Sequence, residues 1–502
     1  MPSPVTQDGR TVPSVSAATF LATVASLPVW ALTVLPLSLF YQAGKVIMKP
    51  VLPKAEQPRL DTGYHVSDSD ILPRRERKYD MVVLGATGFT GRLAVRHLAK
   101  TYGVNKSVKW AIAGRSEAKL DKVKRELADE LDIQEVESID TIIVDTTRTS
   151  SMPALVKQAR CVATTAGPFA LFGSPVVEFC AKFGTHYVDI TGESDWVKAM
   201  IMKWGETAQK SGARLVTFCG HDSVPWDLSV MKLQEALQKE FKDDLTSVTF
   251  WDEAVGGAPG GTIATLFSAV DGKSVKAPHA DFDPFLRLMN GEKSEYVCRS
   301  DGPTWIHKSK SPWDDTGAWF GRWTTPFIMA QVNGAVVRWS HALREQGSKS
   351  LTYTEFAVTK DFKTAFVNHV GLIIVGSMML NPLTSGLLKK YVFPKVGEGP
   401  SMKNMEDKHY LCIFGEGIGI NGNRAESIMY FDKDAGCLET SRMLVESGLC
   451  LALEEDKVPA KHGGFWPPAA GLGNVLLKRL LETGTSFEAR AISEASVRHS
   501  LE

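Results

Sequence analysis

The apolar run Tyr79–Leu84 (YDMVVL) ends in Gly85-Ala86-Thr87-Gly88-Phe89-Thr90-Gly91, and a segment with Leu93, His97 and Leu98 at helical spacing follows. A run of that length without polar alternation suits a parallel strand buried on both faces. A G-x-x-G-x-x-G bend between strand and helix brings backbone N–H groups close to a diphosphate that a Cβ would hold away. The helix N-terminus adds partial positive charge. The pattern gains force from its context of strand before, helix after and second strand downstream. Gly85, Ala86, Thr87, Gly88, Phe89, Thr90 and Gly91 are therefore expected to hold a dinucleotide.

The same rhythm continues. Val108–Ala113, Thr141–Asp145, Cys161–Thr165, His186–Ile190 and Arg214–Phe218 read as five further strands. Glu117–Leu131 carries Leu120, Val123, Leu127 and Leu131 on one helical stripe, and helices are also expected at Ala154–Ala159, after an N-cap at Ser174, and around Met200 and Trp204. Strands alternating with helices imply an α/β fold, a Rossmann-type doubly wound parallel sheet, over 79–220. From about Leu245 the rhythm is mixed, with strands at Ser247–Trp251 and Leu351–Val358, so 221–462 is expected to form a second α+β domain for substrate and for any homodimer contact. Gly463–Leu481 reads as a Gly/Pro turn and a helix, and 463–502 as a helix and strand returning to the first domain.

After the second strand comes Ala113-Gly114-Arg115-Ser116. NAD sites usually place an acidic residue here for the ribose 2′-OH, whereas an Arg can stack on adenine and pair with a 2′-phosphate. Arg115 therefore favours NADP over NAD. After the fourth strand, Thr165-Ala166-Gly167-Pro168-Phe169 lies on the sheet edge where ligands bind, so Ala166 and Gly167 are expected beside the nicotinamide.

Lys+Arg and Asp+Glu both number 57 in 502 residues, which leaves no net field to gather nucleic acid. Seven Cys without any C-x-x-C argue against a disulfide scaffold or a Cys-rich metal site, and for a reducing compartment. No metal is expected.

No charged side chain occurs from Thr11 to Gly44, and Ala17–Ala43 is long enough to cross a bilayer as a helix. Lys45, Lys49 and Lys54 follow it while only Asp8 and Arg10 precede it, which would place the body on the cytoplasmic face. Pro28 and Pro36 would alternatively give kinked pieces lying on the surface, and a cleaved signal or organelle-targeting segment is a further reading. Residues 1–50 are thus expected to associate with a membrane, with 51–78, rich in Pro and charge, as a linker. A second uncharged stretch, Thr364–Leu388, is interrupted by Asn381-Pro382 and closed by Lys389 and Lys390. It reads as two buried helices or as an apolar hairpin dipping into one leaflet.

In order, GATGFTG, AGR (Ala113–Arg115), AGPF (Ala166–Phe169), YVDITGE (Tyr187–Glu193), HDSVPWD (His221–Asp227), GGT (Gly260–Thr262) and PKVGEGPS (Pro394–Ser401) span roughly Lys78 to Arg490. Together they resemble the saccharopine dehydrogenase-like oxidoreductases, which include bacterial trans-acting enoyl reductases. The resemblance implies a Rossmann domain, a second mixed domain, and chain-end elements packing on the first. For eukaryotic members it implies attachment to membranes and lipid droplets, hence an endoplasmic-reticulum or lipid-droplet location and work in lipid metabolism, glycolipid biosynthesis included. His221 departs from the Phe common in the family and is read as an aromatic-sized substitute.

The expected activity is NADP-dependent reduction of an enoyl or carbonyl group on a hydrophobic, lipid or polyketide-like substrate. Proton-donor candidates on the ligand edge are Tyr187, Asp189, Glu193, His221, Asp222 and Ser223. Asp189 and Glu193 can also be read as satisfying buried backbone groups, and Asp222-Ser223 as capping the helix from Pro225. The catalytic group is left unassigned. Tyr41/Lys45 and Tyr102/Lys106 match a Tyr-x-x-x-Lys pattern in the wrong places and are read as chance. Two alternatives stand beside the reductase. One is a non-catalytic NADP-binding lipid-surface scaffold. The other is a saccharopine-type amino-acid dehydrogenase, which would need an arginine cluster that is not evident.

Overall fold

In a computed structural model of the chain, residues 13–48, 61–67, 70–271, 275, 283–302, 305–308 and 322–492 are described, without the side chains of 45–48. Asp8, Arg10, Lys49, Lys54 and the chain end after Ile492 lie outside the described residues.

The first sheet is built from β1 (Tyr79–Leu84), β2 (Trp110–Gly114), β3 (Thr141–Ile143), β4 (Ala159–Thr164), β5 (His186–Asp189) and β6 (Arg214–Val216). Every residue of β1, β2, β5 and β6 is buried, so these runs are largely apolar, although Asp80, His186, Asp189 and Arg214 are buried with them. The second sheet takes β7 (Leu245–Val255), β8 (Val297–Ser300), β9 (His307–Lys308), β10 (Trp323–Pro326), β11 (Ser350–Thr359), β12 (Tyr410–Gly419) and β13 (Arg424–Phe431). Two late strands, β14 (Gly464–Trp466) and β15 (Ser486–Ile492), divide between the sheets. The first runs β14-β6-β5-β4-β1-β2-β3, with all its pairs parallel. The order reverses at β1, flanked by β4 and β2. The second runs β15-β13-β12-β7-β11-β10-β9 with β8 also on β11, and mixes parallel and antiparallel pairs.

Strands of 79–220 all lie in the first sheet and those of 221–462 all in the second, but one helix crosses that division and the segment after 462 serves both sheets. Helix Thr440–Leu453 lies on the first sheet, its Gly448 facing Met81, Val188 and Cys161. The segment after 462 does return to the first sheet, but through β14, which the sequence disguised as a turn because it is three residues long and precedes a proline pair. The later strand, β15, instead pairs with β13 in the second sheet. One apolar core runs through both sheets, from Met81 and Val188 to Phe250, Leu351 and Ile413. At about 25 cal/mol per Å² of apolar area, this shared burial is the main term holding the two domains together.

The described part of the 51–78 segment is not a free linker. Arg77 is buried, and its guanidinium donates to the carbonyls of Leu72, Ala159 and Phe183 and to the Thr185 hydroxyl at 2.7–3.1 Å. A buried cation persists only with such satisfaction, so these charges anchor the chain to the sheet rather than solvate a tether. Two expected caps also differ. Gly173, not Ser174, occupies the cap position, and the Ser174 hydroxyl accepts from Trp196 Nε1 at 3.0 Å. Ser223 sits before helix Val224–Phe241, but its hydroxyl turns to the Asp222 carbonyl instead of the helix amides.

The two uncharged stretches meet. Helices Ala17–Val29 and Leu35–Met48 continue through a π-turn, Trp30–Val34, which accommodates Pro28 and Pro36. They lie along Phe362–Met379, which is followed by helix Pro382–Tyr391.

Candidate active site

The ligand edge of the first sheet is the C-terminal end of its strands. Gly85 leaves β1 with φ +89, and a Cβ there would lie 2.7 Å from Thr165 Oγ1. At Gly91 a Cβ would lie 2.8 Å from both Gly85 C and Thr165 Oγ1, and closer still to the Gly85 oxygen. Only glycine lets the β1 and β4 loops approach so closely. Helix Phe89–Tyr102 starts two residues earlier than its periodicity shows, with Gly88 at its cap and no side chain capping it. Its first amides have no intrahelical acceptor and point at the space above β1. This cradle, with its uncapped helix end, fits a diphosphate.

Arg115 is exposed immediately after β2, where the 2′-phosphate of NADP would be recognised. Ala166 and Gly167 follow β4 across the bend from Gly85, so the expected cofactor residues do converge on one edge. Ser441 Oγ donates to the Thr90 carbonyl at 3.0 Å, so helix Thr440–Leu453 steadies the cofactor helix from below.

The proton-donor candidates separate sharply. Tyr187 donates to Asp189 Oδ2 at 2.7 Å, and Asp189 Oδ1 accepts the Thr191 and Phe218 amides at 3.1 Å. Burial pushes the Asp189 carboxyl up to about 7 and raises the Tyr187 hydroxyl well above its ordinary value. Phe218, buried, has φ +63, a conformation an L-residue holds only under constraint, and the Asp189 bonds supply it. Asp189 is therefore a positioning residue that sets the exit of β6. Glu193 accepts the Phe169 and Ala170 amides at 2.7 and 2.9 Å, capping the short helix after Pro168, and burial raises its carboxyl.

His221 and Asp222 differ from these. His221 Nδ1 lies 3.1 Å from Asp222 Oδ1, its ring is 5.2 Å from Trp226, and its buried Nε2 has no hydrogen-bond partner among the described residues. Its amide is tied to Thr440 Oγ1 at 3.1 Å.

Below this loop the second sheet adds groups that sequence reasoning missed. Asp252 on β7 accepts from Trp226 Nε1 at 3.2 Å, and Glu355 on β11 accepts from Asn333 Nδ2 at 2.8 Å and Tyr353 OH at 2.5 Å. Burial raises both of these carboxyl groups, and the neighbouring Glu355 charge raises Asp252 further. Their signal was available, since an acid at an inward-facing strand position is unusual. The Tyr-x-x-x-Lys matches lead nowhere. Tyr102 donates to the buried Glu446 at 2.9 Å and accepts from Arg479 at 3.0 Å, an internal clasp far from catalysis, and Lys106 packs under Gly103. All seven cysteines are buried and unbridged, and no metal-ligating cluster occurs among the described residues.

The second sheet reaches the cofactor loop through two motifs distant in sequence. Gly260 donates its amide to the Glu398 carbonyl at 3.0 Å, and Gly399 packs directly against the Phe89 ring. The segment carrying those contacts descends from the exposed helix Pro382–Tyr391.

Residues 81–216 match the family model for the saccharopine dehydrogenase NADP binding domain. A trans-acting enoyl reductase of Mycobacterium tuberculosis is 31% identical over 431 residues, covering 83% of this chain and 99% of its own length. The chain belongs to the saccharopine dehydrogenase-like oxidoreductases. A trans-acting enoyl reductase of Mycobacterium ulcerans is 29% identical over 82% of this chain and 98% of its own. Among solved structures, apo saccharopine dehydrogenase (L-Glu forming) from Saccharomyces cerevisiae aligns with TM-score 0.47 and 11% identity over 82% of this chain and 99% of that one. As a saccharopine dehydrogenase-like oxidoreductase, the chain carries an NADP-binding domain, and the glycine bend lies within the matched residues.

Proposed function

We propose that the chain reduces an activated carbon–carbon double bond on a long apolar, lipid- or polyketide-like substrate at a membrane or lipid-droplet surface on the cytoplasmic side. The observation that carries this is the continuity between exposed apolar helices and the cofactor loop. Leu383, Leu387, Tyr391 and Val392 are exposed on Pro382–Tyr391 and just after it, and the chain then runs to Gly399 against Phe89. The relatives named as enoyl reductases support the reaction class. NADPH supplies a hydride when bound.

The residues divide the remaining work. The Gly85–Gly91 amides hold the diphosphate, Arg115 selects the 2′-phosphate, and Ala166 and Gly167 leave room for the nicotinamide. The addition is completed by a proton delivered to the carbon beside the activating carbonyl, and because His221 stands where the family commonly carries Phe, that proton is not assigned to its ring. Tyr187, Asp189 and Glu193 are already committed to internal hydrogen bonds. The test is NADPH oxidation followed by absorbance with enoyl thioesters of increasing chain length. Turnover should rise with chain length, and His221→Phe, which restores the aromatic common in the family, should leave turnover and NADPH binding close to wild type. NADPH binding with no turnover on any enoyl substrate would refute the reaction and leave a cofactor-binding scaffold.

A further inference from the structure

We infer that the N-terminal apolar helix does not cross a bilayer but lies flat, paired in parallel with Phe362–Met379, as a monotopic seat on the headgroup–acyl boundary of one leaflet. The inference rests on the membrane-surface reading above.

The contacts keep one direction along both helices. The Val15 amide donates to Thr364 Oγ1 at 3.1 Å, and the Phe20 and Phe366 rings lie 5.6 Å apart. Further along, Trp30 Nε1 donates to Ser377 Oγ at 2.6 Å, Ser38 Oγ to the Ser377 carbonyl at 2.8 Å, and Gln42 Nε2 to the Leu380 carbonyl at 2.8 Å. Helix Phe362–Met379 is itself fastened to the folded body near both ends. Phe362 packs on Trp323 of β10 at 4.9 Å, and Met379 packs with Phe267 and Leu388. A helix bound along this one cannot send either end to the far side of a membrane without carrying β10 or helix Gly260–Val270 with it.

The surface of the seat suits lipid. Leu21, Val29, Leu32, Leu37, Leu39 and Phe40 are more than half exposed, Leu32 at 80%. The hydroxyls of Thr23, Ser26 and Thr33 donate to carbonyls within their own helix, which is how hydroxyls are satisfied in hydrocarbon. No charged residue lies between Ala17 and Gly44. Around the helix pair Lys360, Lys363, Lys390 and Lys395 are exposed, while of the nearby acids Asp361 and Asp271 are engaged by Thr364 and Lys389, and exposed Glu398 accepts the Lys395 amide at 2.8 Å. That rim favours anionic headgroups, and so a lipid surface rather than a protein partner.

Full-length protein is mixed with sealed vesicles containing anionic lipid, added from outside, and floated. Because the native cysteines are all buried, Ala17→Cys, Leu32→Cys and Ala43→Cys report position through a membrane-impermeant maleimide. The seat predicts flotation weakened by high salt, labelling at both 17 and 43 in intact vesicles, and protection at 32. Labelling of only one end before detergent would overturn the flat topology while leaving membrane attachment intact. Failure to float would overturn both, and a stable dimer in solution with Leu32→Cys protected would replace lipid by a second copy. NADPH binding measured on the same samples reports separately on the cofactor site.

Discussion

The glycine cradle makes a quantitative demand at Gly91. An alanine there puts its Cβ 2.8 Å from the Gly85 carbonyl carbon and from Thr165 Oγ1, well inside ordinary contact of about 3.4 Å or more. Both groups belong to the closely packed junction of β1 and β4, so the bend must open. Overpacking of this kind costs about 1–3 kcal/mol. With 1.4 kcal/mol per decade, the NADPH dissociation constant of Gly91→Ala should rise roughly 10- to 100-fold if the strain falls on the diphosphate site. Gly88→Ala, whose Cβ meets one atom at 3.3 Å, should cost less, and Gly205→Ala, in ordinary contact at 3.8 Å, should leave binding unchanged. Calorimetric titration with NADPH, alongside thermal unfolding with and without it, separates lost binding from lost fold. A well-folded Gly91→Ala protein that binds NADPH like wild type would refute the cradle as the diphosphate site.

Arg115→Ala should raise the NADPH dissociation constant about tenfold through loss of a charge-assisted contact, while NADH binding stays put, and titration of both dinucleotides checks this. Asp227 is buried, accepts from Ser340 Oγ and the Ala469 amide at 2.7 Å, and burial pushes it up to about 7 from 3.8. A raised carboxyl stabilises the fold at low pH, and that contribution is lost as pH climbs from about 4 through 7. Asp227→Asn should therefore flatten the pH dependence, changing the stability difference between pH 5 and 8 by roughly 2–3 kcal/mol in urea unfolding. Parallel wild-type and variant profiles would contradict it.

How much was legible in the sequence tracks burial and distance along the chain. The six strands before residue 220 could be read because parallel strands covered on both faces are mostly apolar, and the glycine bend because only one residue type fits it. The second sheet was read at β7 and β11 but missed at β12 and β13. There Gly415, Gly417 and Gly419 interrupt the pattern to admit the Phe250 ring, the Leu245 side chain and Asp243. The buried acids Asp252, Glu355, Glu416 and Glu426 mimic exposed strand positions. The pairing of the two uncharged stretches was invisible for another reason: Val15 and Thr364 are brought together only by the assembled second sheet. Likewise the basic segment ending at Lys78 looked like a solvated tether because its carbonyl partners lie beyond residue 158 or belong to its own turn.

The most direct measurement follows an isotope. Full-length protein with NADPH deuterated at the transferable C4 position is given a long-chain enoyl thioester, and the product is analysed by mass spectrometry. Hydride delivery from the Gly85–Gly91 site predicts one deuterium at the carbon β to the carbonyl, and loss of the transfer in Gly91→Ala. Reduced product without deuterium, or no product from folded protein saturated with NADPH, would contradict it.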